Sequence, residues 1–448
     1  MSRSSGPSLI APVLSFGDES VNSTLRSRIV RWAPAALSFA AALALGLYFA
    51  LRTYEVDLGV YLRLGGRYVF TSHLYSFTLP NTGLLFTYPP FAALLFAPWQ
   101  RAFTTVHAVQ LSWTLANLAA LVALLALSLR IVRPDLGRAS TTRLALLLTL
   151  PALLLNPVFL TVGFGQINLV VTLLVLWDLL TPRRIGRVEV PLGVATGLAA
   201  AVKLTPLIFV PYLLLTGRAR GARNALVTFV GCGLLTFAAS PQSSVDYWTK
   251  ALFEPTRTAT SVLTPGLSFI SNQSLWSLVL RLHHGSVSSA LMIPLLAVVA
   301  AAGLWLAATA HRRSSPMLGV LVCATTCLIV SPVTWAHHMV WVVPAILWLA
   351  LAADRPRYGR VMAAGAAILF WSAPIWWVPH AKSLELHLNP WQLVAGNSFF
   401  LATVLFMAGA TVHVVRRNRS LLAQAGGVQS LASTRRTIGS NVSRGSFG

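Results

Sequence analysis

The apolar runs decide most of what this chain can fold into. Stretches of Leu, Ala, Val and Phe recur from residue 32 to residue 415, most of them near the length that crosses a bilayer. They are read as transmembrane helices, because a helix satisfies its own backbone hydrogen bonds where no water is present. Composition agrees: the chain is 56% hydrophobic and only 10% charged, with a mean hydropathy of +0.70, whereas a soluble protein keeps about a quarter of its residues charged. The net charge of +23 comes from 31 Arg and three Lys against 11 acids. The arginines stand in short groups between apolar runs, as cytoplasmic loops of multispanning proteins require, so nucleic-acid binding is a poor explanation. Cys232, Cys323 and Cys327 all fall inside apolar runs and read as small buried hydrophobes rather than a metal or redox pair.

Threading the chain by its basic clusters gives an all-α integral membrane protein of about 12 transmembrane helices. Residues 1–31 are polar, basic and Ser-rich, a disordered cytoplasmic leader. Residues 32–51 form an uncleaved first helix, and 52–107 a long external loop. Helices over 108–129, 143–160 and 166–181 follow, with Arg130, Arg133, Arg138, Arg143, Arg183, Arg184 and Arg187 at their inner ends. The run Pro191–Thr216 is interrupted by "AVKLTP" and ends at the basic "GRARGAR". A single crossing would put that cluster outside. Two short helices broken near Lys203 keep it inside, each reaching about 18 Å, an arrangement tolerated where it is buried in protein or lines a wet cavity. Helices over 223–240, 286–310, 316–331, 338–353, 361–378 and 393–415 complete the multispanning domain, 32–415, with a second external loop at 241–285. Residues 416–448 carry six Arg and no acid and read as a disordered cytoplasmic tail near anionic lipid. Both termini are then cytoplasmic, and four polar sites share the external side: Asp57, the Gly163–Asn168 turn, Lys203 and His337–His338.

Each of these sites has a plain structural reading and a functional one. "YEVDLGVYLRLG" (Tyr54–Gly65) places Glu55 and Asp57 at the exit of the first helix. Asp57 opens an amphipathic segment suited to the membrane interface, where it also qualifies as an N-cap. "YPPFAALLFAPW" (Tyr88–Trp99) reads as a second interfacial segment with aromatic anchors. "GFGQIN" (Gly163–Asn168) is not a dinucleotide fingerprint, having Asn168 at the third glycine position and no preceding strand. It is an ordinary helix entry or a source of polar contacts from Gln166 and Asn168. Lys203 either snorkels to the interface or is functional, the default for an intramembrane cation. In "SPVTWAHH" (Ser331–His338), His337 and His338 diverge on a helix, so one histidine facing a polar cavity fits better than a two-histidine metal site.

Taken in order, "DLGVY", "TYPP" (Thr87–Pro90), "GFGQIN", "KLTP" and "SPVTWAHH" resemble the actinobacterial polyprenyl-phosphate-mannose-dependent α-1,2-mannosyltransferases, members of the GT-C glycosyltransferase superfamily. Glu55–Val56–Asp57 looks like the E-x-D acidic motif in the first external loop of GT-C enzymes. The resemblance covers roughly 32–415 and implies a GT-C-type bundle in the plasma membrane with an externally facing site. It implies a polyprenyl-phosphate-mannose donor and a lipid-anchored mannoside acceptor, either a phosphatidylinositol mannoside or the mannan of lipomannan and lipoarabinomannan. It further implies inversion of a β-linked donor to an α-1,2 product. Asp57 is then the base that takes the acceptor hydroxyl proton. Lys203, Arg63 and one of His337/His338 are the candidates to balance charge on the leaving phosphate. Gln166 and Asn168 are candidates to orient sugar hydroxyls. Glu55 either tunes Asp57 or binds acceptor. Were a divalent ion used, Glu55 and Asp57 would hold it, but a cation-lined cavity makes one less necessary, so neither metal nor other cofactor is expected. The alternatives are a flippase of a lipid-linked sugar, which a broken helix also suits, and a GT-C enzyme using a pentosyl (arabinofuranosyl) phosphoprenol.

Overall fold

A computed structural model describes residues 16–52, 56–80, 82–103, 105–254, 257, 266–380 and 383–442, with side chains of 16–29 and 421–442 left aside. Among these residues the protein is helical, apart from a two-residue antiparallel pair, Arg184–Ile185 with Val188–Glu189. Five helices are long and apolar enough to cross a membrane: Val30–Arg52, Val106–Val132, Ala219–Ala239, Ser289–Arg313 and Ser398–Ser420. The first and last continue as helix to Phe16 and Val442, into the stretches read from sequence as leader and tail.

The other apolar runs are shorter or bent. In place of a single helix over 143–160 stand Arg138–Leu153 and Asn156–Gly163, meeting at 85°. The cause is written in "LNP": Pro157 has no N–H to donate to Leu153 O and its ring crowds that carbonyl, so the first helix cannot run through; the chain turns at Leu154–Leu155 and restarts with proline near the new N-terminus. Asn168–Leu180, Thr205–Leu215, Pro316–Val330 and Ala336–Leu351 are apolar but span only 10–17 residues. The segments read from sequence as external loops carry helix too. The first holds a helical turn, Val56–Gly59, running into a π-helix, Val60–Gly66, and then the helix Pro90–Ala102. These pack face to face, with Tyr61 stacked on Phe96 at 4.6 Å and 1°.

The run containing Lys203 is broken where polarity predicts. Helix Val194–Val202 stops, Lys203 is extended (φ −148°, ψ 124°), and a 3-10 turn, Thr205–Ile208, leads into Phe209–Leu215. Helix Asn168–Leu180 serves as a ruler for this segment. Near one end of it, Asp178 Oδ1 and Oδ2 accept from the Gly193 amide at 3.0 Å. At its other end Lys203 reaches Asn168. The chain then returns, and Arg218 donates to Leu179 O at 3.4 Å while Arg312 donates to Leu215 O at 2.6 Å. Residues 194–215 therefore rise and return, leaving both ends of the hairpin with the basic clusters.

Candidate active site

The turn after Gly163 is the hub of the polar groups. Gly165 adopts φ +70°, a conformation that favours glycine, and its carbonyl accepts from Trp113 Nε1 at 2.7 Å. Phe164 O accepts from both the Asp57 and Leu58 amides at 3.1 Å, so the start of the first-loop helix is hung directly on "GFGQIN". Asp57 sits inside the first turn of that helix. Its carboxyl group bonds the Gln166 side chain and feels the charge of Lys203. Although part of the residue is open to the surface, dense packing around the carboxyl pushes its pKa up to about 6, with Gln166 and Lys203 pulling the other way.

Gln166 is 3% exposed, and its Oε1 faces two phenols, Tyr61 at 2.7 Å and Tyr88 at 3.0 Å, themselves 2.8 Å apart. Burial pushes both phenols above the ordinary tyrosine range, which keeps them as donors. With Oε1 so engaged, the amide nitrogen is the part of Gln166 left to donate to Asp57. Asn168 is equally committed. Its Oδ1 accepts from Lys203 Nζ at 2.7 Å, and its Nδ2 donates to His337 O at 2.9 Å, where Thr161 Oγ1 also donates at 3.0 Å. Gln166 and Asn168, expected to face sugar hydroxyls, are thus bound within the protein, one to the acid and one to the cation. Lys203 Nζ also lies 5.6 Å from the Tyr88 ring centre. Among the described residues no carboxylate stands within ion-pair distance of it.

The two histidines separate as their adjacency requires. His337 is buried edge-on against Phe164 at 5.7 Å, and neither ring nitrogen has a hydrogen-bond partner. His338 instead lines a narrow pocket with Lys203, Asn168, Ser331, Thr334 and Trp341. Arg63 does not join this group. It is exposed, in a separate cleft with Gln100, Arg101 and Gln110. Glu55 lies outside the described residues, so the E-x-D pair is seen only through Asp57. Among the described residues no three His, Cys, Asp or Glu side chains converge. Sequence reading missed Tyr61, Thr161 and Phe164, and it took Tyr88 only for an interfacial anchor. The "TYPP" string was the available signal for Tyr88. Tyr61 looks like any apolar-face residue.

The chain matches glycosyltransferase family 87 over residues 86–332, more than half its length. It belongs to that family. The matched span includes Tyr88, the "GFGQIN" turn and Lys203. Among curated relatives, the polyprenol-phosphate-mannose-dependent α-(1-2)-phosphatidylinositol mannoside mannosyltransferase of Mycobacterium tuberculosis is 33% identical over 385 residues, 81% of this chain and 86% of the relative. The protein of the same description from Mycolicibacterium smegmatis is 32% identical over 375 residues, 77% of this chain and 81% of its own. A phosphatidylinositol pentamannoside mannosyltransferase of M. tuberculosis is 31% identical over 358 residues, 78% and 79%. No solved structure matches significantly.

Proposed function

We propose that this membrane protein transfers mannose from polyprenyl-phosphate-mannose to a lipid-anchored mannoside, a phosphatidylinositol mannoside or a lipomannan-type chain, forming an α-1,2 linkage with inversion. The carrying observation is the convergence of Asp57 and Lys203 on one turn, each held by its own amide side chain, Gln166 and Asn168. An inverting displacement needs these two charges and no covalent intermediate. The acceptor hydroxyl oxygen forms the bond to the anomeric carbon, its proton passes to Asp57, and the bond from that carbon to the phosphate oxygen breaks with its electrons. Lys203, with His338 across the same pocket, balances the charge that grows on the departing phosphate. Gln166 turns its amide toward Asp57 and keeps the carboxylate oriented. The reading uses Arg63 for no step.

The finer architecture belongs to the same reading: about 12 crossings, several of them short or broken, in the plasma membrane. Both termini are then cytoplasmic and the Asp57–Lys203 site faces outward. The deciding experiment is a transfer assay in membranes with radiolabelled mannosyl-phosphoprenol and defined phosphatidylinositol mannosides. Label should appear in an α-1,2-linked product. Movement of the donor across the bilayer without bond formation would sink the proposal in favour of a flippase, and use of a pentosyl-phosphoprenol alone would replace the donor.

A further inference from the structure

The segment that leads into the 3-10 turn carrying His338 (Ala336–Trp341) has little regular structure of its own, yet it is tightly held. Its backbone is bonded from a second stretch, "SNQS" (Ser271–Ser274), which no local pattern singles out. Asn272 and Trp335 form an antiparallel bridge, and the Gln273 amide donates to Thr334 O at 2.7 Å. The Asn272 side chain uses both ends. Oδ1 accepts from the Thr334 amide at 2.9 Å, and Nδ2 donates to Pro332 O at 3.0 Å and to Leu267 O at 2.9 Å. Ser271 Oγ accepts from the Ala336 amide at 3.3 Å. Behind this, Arg281 holds the turn itself, donating to Ser268 O, to Asn272 O at 2.9 Å and to Asn397 Oδ1 at 2.7 Å. Asn272 and Gln273 are fully buried. On its other side the histidine turn is fixed by the bonds from Thr161 and Asn168 to His337 O. The wall of the Lys203 pocket is thus gripped from two directions, and only one grip passes through residues already assigned to the site.

We propose that Asn272 is a positioning residue for donor use, setting the register of residues 332–336 so that His338 faces Lys203 across the pocket. This rests on the reading of that pocket as the donor-phosphate site. Asn272 is suited to the task because its side-chain amide supplies two donors and an acceptor in a plane, matching one amide and two carbonyls. Aspartate has the same shape but turns oxygen toward two carbonyl oxygens, so it should be no better than alanine.

Steady-state transfer with mannosyl-phosphoprenol and a fixed phosphatidylinositol mannoside tests this in purified full-length enzyme. Asn272→Ala and Asn272→Asp should each raise the donor KM about 10- to 100-fold with the acceptor KM unchanged. In a His338→Ala background the Asn272→Ala increment should shrink to less than about twofold, since the two residues act as one unit. A loss of Vmax with the donor KM unchanged, or full additivity with His338→Ala, would overturn the proposal. Should the Asn272 variants not fold, Ser271→Ala removes a single bond of the same clamp. It should raise the donor KM a few-fold, and an unchanged value overturns the idea. If the unaltered enzyme transfers no mannose from this donor, the functional reading fails first and separately.

Discussion

Asp57 sits where its ionised form is disfavoured, and Lys203 where its ammonium bonds a neutral amide and faces an aromatic ring, with Asp57 acting on it through space rather than as a direct ion pair. A folded-state pKa near 6 against an ordinary 3.8 means that ionised Asp57 costs the fold up to about 3 kcal/mol at neutral pH. Because the pKa is raised, that cost is complete above about pH 6 and is relieved as pH falls toward 3.8. Asp57→Asn should therefore leave thermal stability in detergent equal or higher while cutting turnover by about 10³-fold or more. The unaltered enzyme should show an acidic limb in kcat/KM near pH 6. Near-normal turnover in the variant would remove Asp57 from the base role. Lys203→Ala should raise the donor KM far more than the acceptor KM, as steady-state kinetics with both substrates varied will show. Equal losses would argue against a phosphate contact. These two residues were legible in the sequence because a charge in an apolar setting stands out. Tyr61 and Thr161 were not, since their side chains suit an ordinary helix face and only the fold shows what their hydroxyls reach. Asn272 was hidden for another reason: the partners that matter, the Pro332 carbonyl and the Thr334 amide, are backbone atoms some 60 residues away, which no local pattern encodes.

At the scale of elements, the helix that stops at Lys203 is anchored at its start by a carboxylate from helix Asn168–Leu180. Asp178 is fully buried and receives the Gly193 amide, the Thr196 amide at 2.9 Å and Thr196 Oγ1 at 2.6 Å. It thereby satisfies free N–H groups at the start of Val194–Val202 and sets a negative charge against the positive end of that helix. Gly193 is obligatory beside it: at φ +96° an added Cβ would lie 2.0 Å from Gly221 O. Asp178→Ala should destabilise the protein by about 2 to 3 kcal/mol, the scale of losing charge-assisted bonds to buried amides. Thermal unfolding in detergent measures it. A shift within error would show that water replaces the carboxylate. The same loosening should reach Lys203, which caps the other end of this nine-residue helix. Element breaks were readable here when polar residues or proline marked them. "KLTP" gave the hairpin. "LNP" carried an equally physical signal for the 85° bend, overlooked because the apolar run continues on both sides of it.

At the scale of the whole molecule, hydropathy counts apolar runs, whereas only five described helices have the length to cross alone. A helix of 13 residues reaches about 20 Å, short of a hydrocarbon core about 30 Å thick. Short elements of this kind must be completed by their neighbours, and in this protein they surround the polar site: Asn168–Leu180, Val194–Val202 and the Ala336–Trp341 turn all end at it. The contacts fix the relative direction of the pieces. Arg218 and Arg312 reach the ends of neighbouring helices near Asp178, while Lys203 and Asn168 meet at the opposite end. If the basic end is cytoplasmic, a cysteine at 219 must be hidden from outside and one in the first loop must be open. In a background lacking Cys232, Cys323 and Cys327, Ala219→Cys should label with a membrane-impermeant maleimide only after the membrane is permeabilised. Ser72→Cys, at an exposed position before the Tyr75 turn, should label in intact cells. Labelling of Ala219→Cys from outside would put the basic end of the hairpin outside and turn the Asp57–Lys203 site to face the cytoplasm.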